Sequence, residues 1–279
     1  MKHLDIEELI KFHFVFDEFM LNGAYYDVFE AIEHEILDDY KALMPRFYFE
    51  SDVDNAIKIA LIKLARSDRK RFRVHKILSQ TIANKVYATL LQKEFLLIEK
   101  SREQPAKRQK NQNLKKSERR YRVEDKIHFS SHFSRFWFRF IEPNLEALKS
   151  GKKDEILALI RAGFDEYASL GYEMLCGELM AKKFGIQGIL LSSFWKKDVE
   201  IDMLFKIDDK IIVGEAKYKE RKVCKNVLNL LLYKCAKLGI APDIIALFSK
   251  SGFSKELLSL KDERVRLYEI KDFEELINE

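Results

Sequence analysis

Two β-strands and the turn between them are encoded by DVEIDMLFKIDDKIIVGEAKY, residues 198–218 of this 279-residue chain. Apolar and polar residues alternate along 199–207, and a second, more apolar run covers 210–218, with Asp208 and Asp209 between them. A period of two predicts a strand, and two such runs around a polar turn predict a hairpin. Both faces of the second run are apolar apart from Glu215 and Lys217, which is typical of a central strand.

The pattern around this hairpin predicts an α/β domain with a mixed sheet. Its order is α-β-β-β-α-β with one added helix and strand, since apolar runs of strand length alternate with amphipathic stretches. The predicted helices are 164–184, 225–237 and 254–260, and the predicted strands are 186–194, 199–207, 210–218, 243–248 and 265–270.

The charged residues of the hairpin predict a site for a divalent metal ion. Glu215 and Lys217 project from one face about 7 Å apart, and Asp202 lies on the preceding strand. A buried ion without a partner costs several kcal/mol, roughly, so these groups need compensation. Asp202 and Glu215 are hard oxygen ligands suited to Mg²⁺ or Mn²⁺, which the Ala216 carbonyl and waters would complete. Lys217 would then orient a water and offset charge on a phosphoryl transition state.

A structural ion pair at the end of a strand is the alternative for Glu215 and Lys217. The E-x-K pattern is weak evidence by itself, because it recurs at 124–126 and 269–271 without an acid on a preceding strand. The acid on the adjoining strand and the preceding helix favour the metal site at the middle copy.

Residues 1–128 predict two further modules. Apolar residues spaced three and four apart make 1–66 a helical module. Residues 67–128 resemble a winged helix-turn-helix with a long wing. The predicted elements are a short amphipathic stretch, a helix Thr81–Lys93 capped by Thr81, a strand 95–98 and a return strand 119–123. Residues 129–163, which include the aromatic segment HFSRFWFRFI (132–141), are predicted as a helical connector, and we expect these aromatics to form core more than to stack on bases.

The charge of the chain is uneven. The formal net charge is +5, yet residues 100–126 alone contain eleven Lys or Arg against four Asp or Glu. Such a concentration indicates contact with a polyanion, although a solvated loop, or a winged helix that binds only proteins, would show the same run. The predicted nucleic-acid contacts are Arg69, Lys70, Arg71, Lys85, Lys107, Arg108, Lys115, Lys116, Arg119 and Arg120.

Several functional classes are not expected. No apolar run is long enough for a membrane helix, and the acidic start is unlike a signal peptide, so a cytoplasmic protein without membrane contact is expected. The three cysteines lack the spacing of a disulfide framework or a zinc site. No G-x-x-x-x-G-K-[ST] motif occurs, so ATP binding is not expected.

Five segments resemble the C-terminal domain found behind archaeal-type AAA ATPases, a member of the PD-(D/E)xK nuclease superfamily. They cover about half of the chain and read HFSRFWFRFIEPN from 132, LGYEMLCGEL from 170, SSFWKKDVEIDMLF from 192, IIVGEAKY from 211 and ALFSKSGFS from 246. The family carries a Phe-Glu pair on the helix before the hairpin, which corresponds here to Tyr172 and Glu173. The resemblance implies a PD-(D/E)xK nuclease-like domain over 164–279, with catalytic residues Glu173, Asp202, Glu215 and Lys217, the three acids as metal ligands, and Trp195 and Glu200 beside them.

The expected function is metal-dependent hydrolysis of phosphodiester bonds, with double-stranded DNA as the partner. The alternative is a non-catalytic regulator that binds DNA or a protein partner through the winged helix and retains a degenerate nuclease fold. RNA is compatible with the basic loop, because attraction to phosphate does not identify the sugar. A homodimer is compatible with the sequence as well.

Overall fold

The computed structural model describes residues 4–66, 69–103, 121, 123–187 and 192–277. The chain forms two compact units. The first unit contains Met1–Glu99 and Asp125–Ala168, and the second contains Lys100–Glu124 and Ser169–Glu279. The finer division into four modules remains a prediction.

The first unit begins with short helices. Asp5 starts the first of them, because its side chain accepts a hydrogen bond from the Glu8 amide at 2.9 Å and so satisfies one of the free N–H groups of the first turn. Pro45 lies in a 3-10 turn that ends this helical run. The helical character predicted for this segment is confirmed. Its elements are α1 (Ile6–Phe16), α2 (Val28–Ala31), a π-helical turn (Ile32–Leu37), α3 (Tyr40–Leu43), a 3-10 turn (Met44–Phe47) and α4 (Asp54–Ala65).

A helix, turn, helix and antiparallel hairpin follow. The elements are α5 (Phe72–His75), α6 (Gln80–Gln92), β1 (Leu96–Glu99) and β2 (Lys126–Phe129). Ser79 caps α6 by accepting from the Ile82 amide at 3.4 Å, so the prediction that Thr81 is the cap is wrong. The strand that pairs with β1 among the described residues is β2, whereas the predicted return strand 119–123 lies mostly outside them.

The aromatic segment forms the core of the first unit, as predicted. Phe133, Phe136, Trp137, Phe138 and Phe140 are all buried. The Phe47 ring stacks on Trp137 with 4.6 Å between centroids, so the segment 132–141 is packed against the N-terminal helices instead of being presented to solvent. Its elements are α7 (His132–Phe136), a π-helical turn (Trp137–Ile141), a 3-10 turn (Glu142–Asn144) and α8 (Leu145–Lys149).

A single long helix, α9 (Lys153–Lys183), replaces two predicted ones. The predicted helix at 164–184 begins eleven residues earlier than expected and absorbs most of the helix predicted in the connector. Gly163 does not interrupt α9. A β-carbon there would lie 3.1 Å from Phe140 Cε1, so this glycine serves close packing and not a turn.

The second unit contains a mixed four-stranded sheet, which confirms the α/β class predicted for the C-terminal region. The strand order is β5-β6-β7-β8, where β5 and β6 are antiparallel and the other neighbours are parallel. A separate antiparallel pair, β3 with β4, precedes it. The elements are β3 (Phe194–Lys196), β4 (Val199–Ile201), β5 (Met203–Ile207), β6 (Lys210–Lys217), α10 (Lys225–Leu238), β7 (Ile244–Ser249), α11 (Lys255–Leu258), β8 (Val265–Glu269), a 3-10 turn (Ile270–Phe273) and α12 (Glu274–Ile277).

The strand predicted at 186–194 differs from the structure. Strand β3 begins only at Phe194, where the predicted strand ends, and it pairs with β4. Residues 188–191 of the predicted strand lie outside the described residues.

Helices cover both faces of this sheet. Leu228 and Leu231 of α10 pack with Val213 of β6 on one face. On the other face, Tyr172 of α9 contacts the ring of Tyr218 at 5.2 Å between centroids. A strand covered on both sides must be apolar except where a polar group has a partner, which sets the conditions for Glu215.

Within the described ranges, no helix combines the length and the apolar character that crossing a bilayer requires.

A buried carboxylate organises the loop between α1 and α2. Glu35, in the π-helical turn, is 4% exposed and accepts hydrogen bonds from the Asn22 amide at 2.7 Å, the Asn22 side chain at 2.9 Å, the Gly23 amide at 3.2 Å and the Tyr25 hydroxyl at 2.5 Å. Burial alone would raise the pKa of Glu35, but these hydrogen bonds outweigh it and lower the pKa below its usual value. The hydrogen bond from Tyr25 to Glu35 in turn raises the pKa of Tyr25 to about 12.

We predict that Glu35→Gln destabilises the protein by about 3 kcal/mol at neutral pH, since an amide NH₂ would face donors and the charge-assisted bonds would be removed. The lowered pKa means that the native contribution is present at neutral pH and disappears as the pH falls through that value. Urea unfolding at pH 7 and in mild acid measures both effects, and the difference between variant and native should shrink in acid.

The matched control is Glu33→Gln on the same turn. Glu33 pairs with Lys153, which also holds Asp38, so removal of this partly exposed pair should cost less than about 1 kcal/mol. Equal destabilisation by the two variants would contradict the role given to Glu35.

Candidate functional site

The candidate site lies where β5 begins, beside the central strand β6. The last pair in their register is Met203 with Gly214, and on the other side Glu215 is paired with Leu247 of β7. Gly214 permits this approach, because a β-carbon there would lie 2.9 Å from Met203 Cε. Glu215 is therefore on a strand that is fixed on one side by β7, while the register with β5 stops one residue before it on the other side.

Asp202 takes the place of a strand neighbour there. The predicted strand 199–207 is not continuous: it breaks at Asp202 into β4 and β5. The Oδ2 atom of Asp202 accepts a hydrogen bond from the Ala216 amide at 2.9 Å. In a continuous strand, the backbone would have paired with the Ala216 amide. The chain leaves the sheet at Asp202, so that the Asp202 side chain reaches this amide instead. Asp202 is thus at a bend, and not on one face of a regular strand as expected.

Two lysines hold the carboxylate of Glu215. Lys217 Nζ lies 2.8 Å from Oε1, and Lys234 Nζ lies 3.0 Å from Oε1 and 2.8 Å from Oε2. Lys217 also donates to the Ala216 carbonyl at 3.2 Å. Glu215 is only 4% exposed, so the two ammonium groups compensate a carboxylate that would otherwise be costly to bury. The pair of Glu215 with Lys217 is common to both hypotheses drawn from the sequence and does not separate them.

Electrostatics couple Asp202 and Glu173 to the same cluster. Burial, and then the charges of Glu173 and Glu215, raise the pKa of Asp202 to about 8, against the smaller opposing effects of Lys217 and the Ala216 amide. Burial lowers the pKa of Lys217, but the charges of Glu215, Asp202 and Glu173 outweigh it and raise the pKa. The fold therefore gathers the four predicted site residues into one electrostatic group.

A buried thiol lies next to this group. Burial, and then the charges of Asp202 and Glu173, raise the pKa of Cys176 well above its usual value. Cys176 is a free and fully buried cysteine one helical turn after Tyr172 and Glu173. It is a neutral thiol and therefore not a nucleophile or a metal ligand in this state.

The donor set suits a hard divalent cation, but the acids do not form a ready ligand group. Asp202, Glu215 and the Ala216 carbonyl supply oxygen donors of the kind that Mg²⁺ and Mn²⁺ prefer. Burial, and then the charges of Glu173 and Glu215, raise the pKa of Asp202, and a bound cation would offset those two charges. In the part of the chain that the structure describes, however, no three His, Cys, Asp or Glu side chains are grouped to hold a metal ion.

Sequence reasoning misses Lys234. It lies on α10 among the buried residues Leu228, Leu231 and Cys235, which recur at helical spacing and mark the inward face. A lysine at the edge of such a stripe is a detectable signal, because its ammonium needs a partner if it points inward. The sequence alone does not identify that partner.

Trp195 and Glu200, predicted beside the site, form a pair in the register of β3 and β4. Trp195 is buried, and its Nε1 donates to the Glu124 carbonyl at 2.9 Å. The indole therefore holds the backbone at Glu124 in place, which is a structural role.

The predicted nucleic-acid contacts are only partly described. The Arg69 carbonyl accepts a hydrogen bond from the Ile127 amide at 2.8 Å. The backbone of Lys70 forms an isolated antiparallel β-bridge with the backbone of Lys126 in β2. The Arg71 guanidinium lies 5.0 Å from the centre of the Tyr87 ring, and Lys85 forms an ion pair with Asp52. The side chains of Arg71 and Lys85 thus have protein partners, and contact of these four residues with phosphate stays a prediction. Lys107, Arg108, Lys115, Lys116, Arg119 and Arg120 lie outside the described residues.

We predict that Asp202→Asn stabilises the protein relative to the native chain increasingly as the pH rises from about 4 to about 8. The unfolded chain releases this proton near 3.8, whereas the folded protein keeps it to about 8, so native stability falls across that window. An asparagine does not ionise and its oxygen still accepts from Ala216. Urea unfolding at several pH values measures the difference.

Asp209→Asn, in the exposed turn between β5 and β6, is the control and should show no such trend. A constant difference between Asp202→Asn and the native chain over this pH range would show that Asp202 is not held protonated.

Comparisons with known proteins show similarity to a family without an assigned activity. Residues 137–227 match the DUF234 family, described as archaea bacterial proteins of unknown function; the match covers about a third of the chain and includes Glu173, Asp202, Glu215 and Lys217. A stretch of 171 residues, 58% of this chain, is 25% identical to an uncharacterized protein of Methanocaldococcus jannaschii. It covers 36% of that protein, so this chain spans about a third of the length of its relative. No solved structure matches the chain.

Proposed function

We propose that this protein hydrolyses phosphodiester bonds in DNA with the help of a divalent metal ion. The observation that carries the proposal is the cluster at the end of β6. Three acids, Glu173, Asp202 and Glu215, share one electrostatic environment with Lys217, and the pKa values of Asp202 and Lys217 are both displaced. Displaced pKa values in a coupled acid and lysine group are more frequent at functional sites than elsewhere.

The topology around the cluster supports a nuclease-like fold of the PD-(D/E)xK type. An antiparallel pair, β5 and β6, leads through α10 to the parallel strand β7, and α9 precedes them. In a parallel sheet, ligands bind outside the carboxyl ends of the strands. Lys217 is the last residue of β6, so the cluster lies at the end of the sheet where such binding is expected.

Each residue of the cluster has a role that its chemistry permits. Asp202 and Glu215 would hold the cation with the Ala216 carbonyl, and Glu173 would contribute through its charge or a bound water. When bound, the cation would polarise a phosphoryl oxygen and lower the pKa of a water. The Lys217 ammonium, which is about a third exposed, would orient the attacking water and offset charge on the phosphate.

Residues 67–128 supply a candidate surface for DNA. Helices α5 and α6 followed by the β1 and β2 hairpin have the element order of a winged helix-turn-helix, in which α6 would be the recognition helix. The residues between β1 and β2 carry the basic segment, which would act on the phosphate backbone independently of sequence. A cytoplasmic location is part of the same proposal.

A non-catalytic regulator is the second candidate, and one observation favours it. Both oxygens of Glu215 are already bound by Lys217 and Lys234, which makes a complete ion network without any metal. A protein of this kind would bind DNA or a partner without a requirement for Mg²⁺ or Mn²⁺. Metal dependence therefore separates the two candidates.

We predict that the native chain cleaves duplex DNA only with Mg²⁺ or Mn²⁺, and that Asp202→Ala and Lys217→Ala each lower the cleavage rate by at least about a hundredfold. Binding of DNA, measured by fluorescence anisotropy with the metal chelated, should change less than about threefold. Lys206→Ala, an exposed residue of the same hairpin, is the control and should cleave as the native chain does. Cleavage by Asp202→Ala at the native rate would exclude this site.

Neutral substitution of Lys115, Lys116, Arg119 and Arg120 together should give the opposite result. We predict weaker DNA binding and a shallower salt dependence, by roughly one unit of slope for each phosphate that is no longer neutralised. Binding of Mn²⁺ should remain native, because these residues are distant in sequence from the acids of the site. Unchanged DNA affinity over a salt series would show that the basic segment does not contact the phosphates. A parallel series with structured RNA tests the nature of the nucleic acid.

A further inference from the structure

We propose that Lys234 is a positioning residue of this site, which releases Glu215 to the metal ion when a phosphodiester binds. The inference rests on the proposed function and adds the order in which the site is assembled. It starts from the geometry of α10, which places the Lys234 ammonium 2.8 Å from one oxygen of Glu215 and 3.0 Å from the other. No other ammonium group among the described residues is hydrogen-bonded to both oxygens of this carboxylate.

Lys234 and a metal ion compete for the same atoms. A divalent cation needs at least one oxygen of Glu215 as a direct ligand, at a distance shorter than a hydrogen bond. With Lys217 on Oε1 and Lys234 on both oxygens, a cation that binds either oxygen meets an ammonium group already hydrogen-bonded to it.

Lys234 has fewer other hydrogen-bond partners than Lys217. Lys217 is held a second time, by the Ala216 carbonyl, whereas both hydrogen bonds of the Lys234 ammonium are with Glu215. The Lys234 side chain is 19% exposed and has a long flexible stem, so its ammonium can turn towards solvent without displacing α10.

The net charge of the site determines how strongly it attracts a phosphodiester. With the three acids ionised around a divalent cation and both lysines present, the loaded site would carry an excess of one positive charge. This equals in size the single negative charge of a phosphodiester. Without Lys234, the loaded site would be neutral and would attract the substrate less. Lys234 therefore weakens cation binding when the substrate is absent and strengthens substrate binding when the cation is present.

The test is a titration with Mn²⁺ by calorimetry, with and without saturating dithymidine monophosphate, the smallest phosphodiester of DNA. We expect Lys234→Gln to bind Mn²⁺ about tenfold tighter than the native chain when the phosphodiester is absent, since a charged competitor is removed. The phosphodiester should tighten Mn²⁺ binding to the native chain but have little effect on the variant. Lys234→Arg keeps the charge and should resemble the native chain.

Lys237→Gln is the matched control, because it removes the same charge from the same helix at a residue paired with Asp198. It should bind Mn²⁺ as the native chain does. Far-UV circular dichroism and urea unfolding establish that each variant is folded, and Lys234→Met, which retains an apolar stem, replaces Lys234→Gln if that variant unfolds.

The outcomes separate the two proposals. Equal Mn²⁺ affinity of the native chain and Lys234→Gln, with or without phosphodiester, overturns the role of Lys234 and leaves the metal site standing. Absence of Mn²⁺ binding in every variant overturns the metal site and the exchange together. If, without phosphodiester, Lys234→Gln binds Mn²⁺ and the native chain does not, and the native chain binds Mn²⁺ once phosphodiester is added, the exchange is supported.

Discussion

The burial of one carboxylate on a central strand is the constraint that organises the second unit. Glu215 occupies a position on β6 where neighbouring side chains are apolar and both faces of the sheet are covered. An ion in such a place is tolerated only if the structure brings opposite charges to it. Lys217 comes from the same strand and Lys234 from the helix that crosses the face, so β6 and α10 are joined by ion pairs as well as by apolar packing.

The same constraint explains the irregularity of the hairpin. A continuous strand from 199 to 207 would have paired the Ala216 amide through its backbone and left the Asp202 side chain on a sheet face. The break at Asp202 instead lets a side chain satisfy the amide, at the cost of holding a carboxyl group near Glu215 and Glu173. The fold accepts this unfavourable charge arrangement beside its central strand. Regular structure that is given up next to a charged cluster is typical of functional sites.

The strength of the local signal decides which parts of the fold are predictable. The pattern places the hairpin 198–218 and the strands β7 and β8 within about two residues, because period and turn residues are encoded locally. Composition alone identifies the aromatic segment as core. The sequence predicts two helices where α9 is one. The close packing of Gly163 against the Phe140 ring, within α9, is shown only by the folded structure. The choice of Ser79 over Thr81 as a cap is a difference of two residues, and helix ends are the least reliable feature of any sequence pattern.

The site follows the same rule. The spacing of Glu215 and Lys217 within one strand is fixed, so the sequence predicts that they lie together. The family resemblance adds Asp202 and Glu173, and in the structure the charges of both act on Lys217. Lys234 escapes prediction, because its contact depends on how α10 crosses the sheet and no local pattern contains that angle. Long-range ion pairs are therefore the part of a site that a single sequence does not specify.

The ion network gives the protein a stable state when no ligand is bound, and this bears on both candidate functions. In a metal site made of three neighbouring acids, the negative charges would repel one another when no cation is bound, and every uncompensated charge would make the folded protein less stable. Lysines that neutralise the acids remove this cost, but they also occupy the positions that a cation needs. A regulator would keep that arrangement permanently. An enzyme must leave it during each turnover, and the free energy for doing so can come only from a ligand that attracts the ammonium more strongly than Glu215 does. A phosphate oxygen beside a bound cation is such a ligand, so the ion network that stabilises the empty site favours an enzyme in which metal and substrate strengthen each other's binding.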